Sequence, residues 1–335
     1  MRFALSTEQL DFAAELRKIL DAGQVPAAVR AWSDGDTVKG RALLRQLAEM
    51  GVFGLIVDEQ YDGADATPVD LVVALIEAGR AALPGPVIES AAVIPALLQR
   101  LPDSTVAQRF LPALASGEQL GTITFDDPRR GIALDAGTAD VVLVAAGSRV
   151  ATGTRSPGVA ASVDPARKLS HLAVDGLIAE GPEVEAAIAY GFDIGVLACA
   201  AQLLGAGRAI LEQTTAYAKQ RKQFGRAIGE FQAVKQQLAD VLIALDLAEP
   251  LLYRAALTLD SEDRARDVSA ALVTCADAAH RAARAGLQVH GAIGYTAECD
   301  LSLWLTKVTA LRAAWGTADF HRARIAAALR TNAAS

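Results

Sequence analysis

Side chains able to do chemistry are few in this chain, and they are scattered. Four histidines, His171, His280, His290 and His321, share no HExxH string and no metal-ligand spacing, and they read as surface or capping residues. Three cysteines, Cys199, Cys275 and Cys299, include no CxxC pair. There is no GxSxG elbow, no GxGxxG after a strand and no GxxxxGK[ST] loop, so nucleophilic-elbow, Rossmann and P-loop chemistry lack support. What remains are three short strings. Arg221-Lys222-Gln223-Phe224-Gly225 and Gln288-Val289-His290-Gly291-Ala292-Ile293-Gly294-Tyr295 each read as a helix end closed by cations or glycine. Gly316-Thr317 interrupts a helical pattern just before His321 and Arg322.

These strings must be positioned by a chain of 335 residues, long enough for two or more domains without disulfide or metal staples. The composition, 52% hydrophobic and 21% charged, excludes global disorder. Thirty-two Lys and Arg against 39 Asp and Glu give a net charge of -7, which argues against a broad nucleic-acid footprint. The sparse cysteines suit a reducing compartment. Thr7, Glu8 and Gln9 interrupt any signal-peptide core, and the nearly uncharged stretch Ile194 to Gly207 falls short of the ~20 apolar residues of a membrane span. The expectation is a cytoplasmic protein with no membrane span.

Three regions separate by hydrophobic period. Residues 1–118 are helical: Ser6 and Gln9 form a capping box before Leu10, Ala13, Leu16 and Leu20, a second helix runs near Gly40 to Met50, and a third near Pro68 to Arg80 carries Leu71, Val72, Leu75 and Ile76 on one face. Residues 119–185 hold short runs, Gly121 to Phe125, Val141 to Ala145, Val159 to Val163 and Leu169 to Val174, split by turn residues; these predict a small sheet or barrel. Residues 186–335 return to helical spacing. One helix carries Val196, Leu203, Ile210 and Tyr217, the next Phe231 to Leu252, a third Val268 to Ala279, and the last Leu301 to Leu311. They predict an antiparallel four-helix bundle. The fold class is mainly α with a small β domain.

In their order and spacing, these strings resemble the acyl-CoA dehydrogenase family over almost the whole chain. The resemblance rests on Met50-Gly51-Val-Phe-Gly54-Leu55, Gly79-Arg80, Pro84-Gly-Pro86, Phe110 to Glu118, RKQFGRAIGEFQAVKQQLAD (221–240) and QVHGAIGYTAE (288–298). It implies a helical N-terminal domain, a middle β domain and a C-terminal four-helix bundle. It further implies FAD and α,β-dehydrogenation of an acyl-CoA thioester, in which a glutamate removes the α-proton and the flavin accepts the β-hydride. By the same resemblance, Arg221, Phe224, Gln232, Gln288 and Gly291 would hold the ADP end of a flavin lying mainly in a neighbouring subunit, with Thr317 a lesser contact.

The positions that carry the chemistry depart from the family. Trp315 occupies the usual glutamate position, and its indole N–H can only donate. The alternative glutamate position falls on Gly195, with Asp193 the nearest acid. Asp126, in Phe125-Asp126-Asp127-Pro128-Arg129-Arg130-Gly131, replaces a flavin-contacting hydroxyl, and the β region looks shortened before Ala139. The resemblance is therefore to the short, catalytically degenerate subunit of heteromeric bacterial acyl-CoA dehydrogenases, some of which act on sterol side-chain thioesters. Its implied partner is a paralogous subunit carrying the base and most of the FAD. The alternatives are a self-sufficient homomeric dehydrogenase using Asp193 or Glu298, a flavin monooxygenase on the same fold, and a non-enzymatic interaction subunit.

Overall fold

The computed structural model describes residues 4–125, 131–158 and 160–334. Six helices precede the sheet: α1 (Thr7–Ala22), α2 (Val25–Ser33), α3 (Val38–Glu49), α4 (Pro68–Arg80), α5 (Ile94–Leu98) and α6 (Ser104–Ala115). The capping box at Ser6 is present, the Ser6 hydroxyl accepting from Gln9 N–H and the Gln9 amide oxygen from Ser6 N–H. The Gln9 amide also donates to Asp70 at 2.9 Å, and Asp70 closes a second capping box with Thr67 at the start of α4. Two helix starts are thus tied by one side chain. Helix α4 has no polar face, because Leu71 to Gly79 are all buried. It runs through the middle of the molecule, not along its surface.

The middle region forms a five-stranded sheet: β1 (Gly121–Thr124), β2 (Ile132–Leu134), β3 (Val141–Ala146), β4 (Arg149–Arg155) and β5 (Leu169–Glu180), in the order β1-β3-β4-β5-β2. β1 and β3 run parallel and the other pairs antiparallel. Two expectations change here. Residues near Val163 form no strand; Ala160 makes a lone bridge to Leu169, and Ser162 and Asp164 turn the chain with side-chain-to-backbone bonds. Val159 lies outside the described residues. β5 continues six residues past Val174, with Val174 and Leu177 exposed and its register on β4 shifted along this stretch. The reading also missed β4, whose Arg, Thr and Gly residues carry little apolar signal.

Five helices follow: α7 (Pro182–Gln220), α8 (Gln232–Leu257), α9 (Arg264–His290), α10 (Leu301–Ala314) and α11 (Ala318–Ala334). The expected four-helix bundle therefore gains α11, which packs on α9 after the chain breaks at Trp315-Gly316-Thr317. Helix α7 is long and apolar enough to cross a membrane, contrary to the reading of Ile194 to Gly207. However, 89% of its most apolar window is buried inside the fold, and it is a core helix. It packs against α4 on one side and α8, α9 and α10 on the others. The N-terminal and C-terminal helices share one continuous core, while Ala133, Ala136, Val144 and Leu172 form a small separate cluster in the sheet.

Candidate functional site

A cavity of about 570 Å³ lies between the sheet and the C-terminal helices. Its apolar wall includes Ile123, Phe125, Phe192 and Trp315; among the described residues, Glu89 and Arg167 are its charged lining residues. Trp315 ends α10 and is buried, its ring 5.7 Å from Phe125 and 6.1 Å from Phe192 in edge and tilted contacts. The indole lies flush on Gly195 of α7: a Cβ there would stand 2.3 Å from Trp315 Cζ3. Two positions 120 residues apart in sequence, both expected as sites for a base, therefore occupy the same space. Trp315 holds it, and Gly195 is the residue that lets it fit.

Asp193 is buried one helical side away and does not face the cavity as a free base. Arg264 Nε donates to it at 2.9 Å and Arg324 Nη2 at 2.6 Å, joining α7 to α9 and α11. Both of its carboxylate oxygens are thereby occupied by guanidinium donors. Glu298 is exposed, in the turn before α10.

The histidine reading needs one correction. His321 is fully buried, neither surface nor cap. Its Nε2–H donates to the Trp315 carbonyl at 2.8 Å, and Nδ1 meets the Ser269 hydroxyl at 3.1 Å. Burial pushes its pKa below the ordinary value, so the ring is neutral and its single N–H fixes the backbone at Trp315. Thr317 is exposed, and its hydroxyl accepts from Phe320 N–H at 3.3 Å, capping α11. The expectation at Asp126 lies outside the described residues.

Sequence reasoning missed Glu89. It sits in a π-helical turn, Glu89–Val93, where Ile94 N–H reaches back to the Glu89 carbonyl. Pro95 accounts for the widening, since it has no N–H for Ala91 and its ring crowds that carbonyl. Ser90 pins the turn to β1 by donating to the Gly121 carbonyl and accepting from Gly121 N–H, both at 2.9 Å. Burial pushes the Glu89 carboxyl up to about 7, against the pull of Arg167, and Oε2 has no hydrogen-bond partner. The signal was legible in one respect: Glu89 is the only charge between Ala81 and Leu98. Lys307, buried nearby on α10, donates to the Leu83 carbonyl and is pushed down to about 8 by the same desolvation.

The remaining candidates gather at one end of the helical domain. α7 stops at Gln220, and Gly225 does not cap it as expected. Instead, two short strands, β6 (Lys222–Gln223) and β7 (Arg226–Ala227), form a hairpin whose turn is Phe224-Gly225. Both turn residues have positive φ, +52° and +80°, the backbone of a tight primed turn. That turn holds Phe224 outward, 90% exposed. Arg221 and Gln232 flank the hairpin and are exposed; among the described residues Arg221 makes no ion pair. Stacking of Tyr217 on His290, centroids 4.2 Å apart, brings the ends of α7 and α9 together. Gln288, Gly291 and Ala292 line a hollow of about 250 Å³ there, with Arg284 and Tyr295. Gly291, at φ +66°, makes the reversal that ends α9.

Comparisons with known proteins cover most of the chain. Residues 6–118 match the acyl-CoA dehydrogenase N-terminal domain, and residues 186–330 the acyl-CoA dehydrogenase C-terminal domain. The chain is 30% identical over 284 residues to acyl-CoA dehydrogenase IpdE2 of Mycobacterium tuberculosis, covering 84% of this chain and 85% of that one. It is similar in fold to the Tcur3481-Tcur3483 steroid ACAD variant (TM-score 0.85, 22% identity, 98% and 99% of the two chains). The ChsE4-ChsE5 complex from Mycobacterium tuberculosis is equally similar (TM-score 0.84, 24% identity, 98% and 99%).

Proposed function

The chain belongs to the acyl-CoA dehydrogenase family, and from that premise we propose that it is the supporting subunit of a heteromeric member of cytoplasmic location. A paralogous partner would carry the catalytic glutamate and most of the FAD. The observation that carries this reading is the seating of Trp315 on Gly195. It fills both places where the family resemblance puts a base, and Asp193, the nearest acid, is doubly paired. Proteins of this family bind FAD, which supplies the acceptor for a β-hydride.

The residues at the hairpin end fit the ADP portion of that cofactor. Arg221 offers an uncommitted guanidinium fork for pyrophosphate oxygens, and Phe224 an exposed ring. Gln288 lines a hollow in which the backbone at Gly291 can be closely approached. In this role the chain's own groups orient the nucleotide and exclude water, while proton removal belongs to the partner. Solved relatives named as two-component assemblies, Tcur3481-Tcur3483 and ChsE4-ChsE5, support the heteromeric form, and the steroid named in the first supports a sterol-derived thioester as substrate.

The test is flavin stoichiometry from the visible spectrum, on the chain alone and after co-expression with its genomic neighbours. The expected result is no flavin alone and one FAD per pair of chains in the complex, falling at least tenfold with Arg221→Ala. One FAD per chain in the isolated protein, with turnover lost in Asp193→Asn, would instead establish the homomeric dehydrogenase.

A further inference from the structure

The cavity that Trp315 narrows has an apolar wall interrupted by Thr124, Ser162 and Thr309, with its charged groups, among the described residues, at its inner end. Glu89 there is only 5% exposed, yet it lines the cavity and leaves Oε2 without a partner. The Arg167 guanidinium lines the same space, and among the described residues it makes no hydrogen bond or ion pair. The mouth is formed by exposed Ala161 and Val163. A buried carboxyl oxygen with no partner destabilises the fold, which a folded protein tolerates where a ligand meets the group. The π-helical turn that carries Glu89 is held by Ser90 and Pro95, so its orientation is set by the fold.

We propose that this inner end is a binding site for a hydroxyl group on an otherwise apolar acyl ligand, Arg167 donating to its oxygen and Glu89 accepting from its proton. This deepens the functional reading above and rests on it for the acyl-CoA class of ligand. A hydroxyl is selected over other oxygen functions by the two groups it must satisfy. Guanidinium can only donate, whereas the unpartnered Glu89 oxygen accepts when ionised and can donate when protonated; a hydroxyl, donor and acceptor in one atom, satisfies Arg167 and either form of Glu89. A ligand carboxylate would add negative charge beside Glu89, Asp135 and Asp164, which already outnumber Arg167 and Lys307. The Ile123, Phe125, Phe192 and Trp315 walls take the hydrocarbon body.

Binding of straight-chain alkanoates and their ω-hydroxy counterparts, each as free acid and as CoA thioester, tests the site on the full chain. Trp315 lines the cavity, so quenching of tryptophan fluorescence reports occupancy. The expected result is tighter binding of the hydroxylated member of a pair by about tenfold or more. Glu89→Leu is expected to abolish that preference while retaining the plain chain, and Glu89→Gln to keep much of it. Equal binding within pairs, or a preference that survives Glu89→Leu, overturns the proposal. Thioesters that bind without preference would leave the family reading intact and sink this site. Free acids that show the preference while thioesters fail to bind would uphold the site and remove acyl-CoA as its ligand.

Discussion

An indole facing a glycine across two helices makes each residue's tolerance depend on the other. Gly195→Ala would place a methyl 2.3 Å from the Trp315 ring, so the ring must leave its seat between Phe125 and Phe192. The expected cost is about 1–3 kcal/mol of overpacking. Trp315→Ala alone is expected to cost about 3–5 kcal/mol through the hole it opens. In the double variant the added methyl has room, and its cost should fall to nearly nothing. Thermal or denaturant melts of the four proteins check this, with a coupling of at least about 1 kcal/mol expected and strict additivity contradicting the packing.

Among the elements, α4 and α7 cross with their backbones in close approach. A Cβ on Gly205 would stand 1.9 Å from the Ile76 carbonyl oxygen, and one on Gly79 2.1 Å from the Gln202 carbonyl oxygen. The neighbours here are backbone, which cannot rotate aside. Gly205→Ala is therefore expected to cost at least about 3 kcal/mol and to lower the melting temperature by several degrees, whereas alanine at Gly147, with open space around it, adds no such contact. Much of this level was legible from sequence. Period and caps located α1, α3, α4 and the C-terminal helices, because their apolar stripes and capping residues act locally. β4 and the π turn were not legible: one is held by neighbours on both sides of the sheet, the other by a proline four residues beyond a bond it prevents. For the site, the strings at Arg221 and Gln288 stand out in the sequence as expected contacts, as does Trp315 where the resemblance expects a glutamate. That Trp315 and Gly195 are one place could not, since no local pattern connects α7 to the end of α10. Nor could the hairpin, whose turn looked like a helix cap.

At the scale of the whole molecule, the helices share one core, so charge buried within it acts on global stability. Glu89 titrates near 7 when folded against an ordinary 4.5, so the folded state holds a proton that the unfolded state has released between those values. Stability from this group is full below about pH 4.5 and declines as pH rises through about 7, by on the order of 3 kcal/mol in all. Glu89→Gln cannot titrate, and its melting temperature is expected to equal or exceed that of the parent at pH 8, with the advantage shrinking towards pH 5. Matched melts across that range check the sign; an advantage that grew on acidification would contradict it. The seating of Trp315 also bears on the chain's history. An acid cannot enter at Gly195 while the indole is present, and the indole cannot leave without collapsing its aromatic neighbourhood. On the supporting-subunit reading proposed above, each route to an acid at this place passes through a worse-folded intermediate, which makes the pairing an evolutionary ratchet.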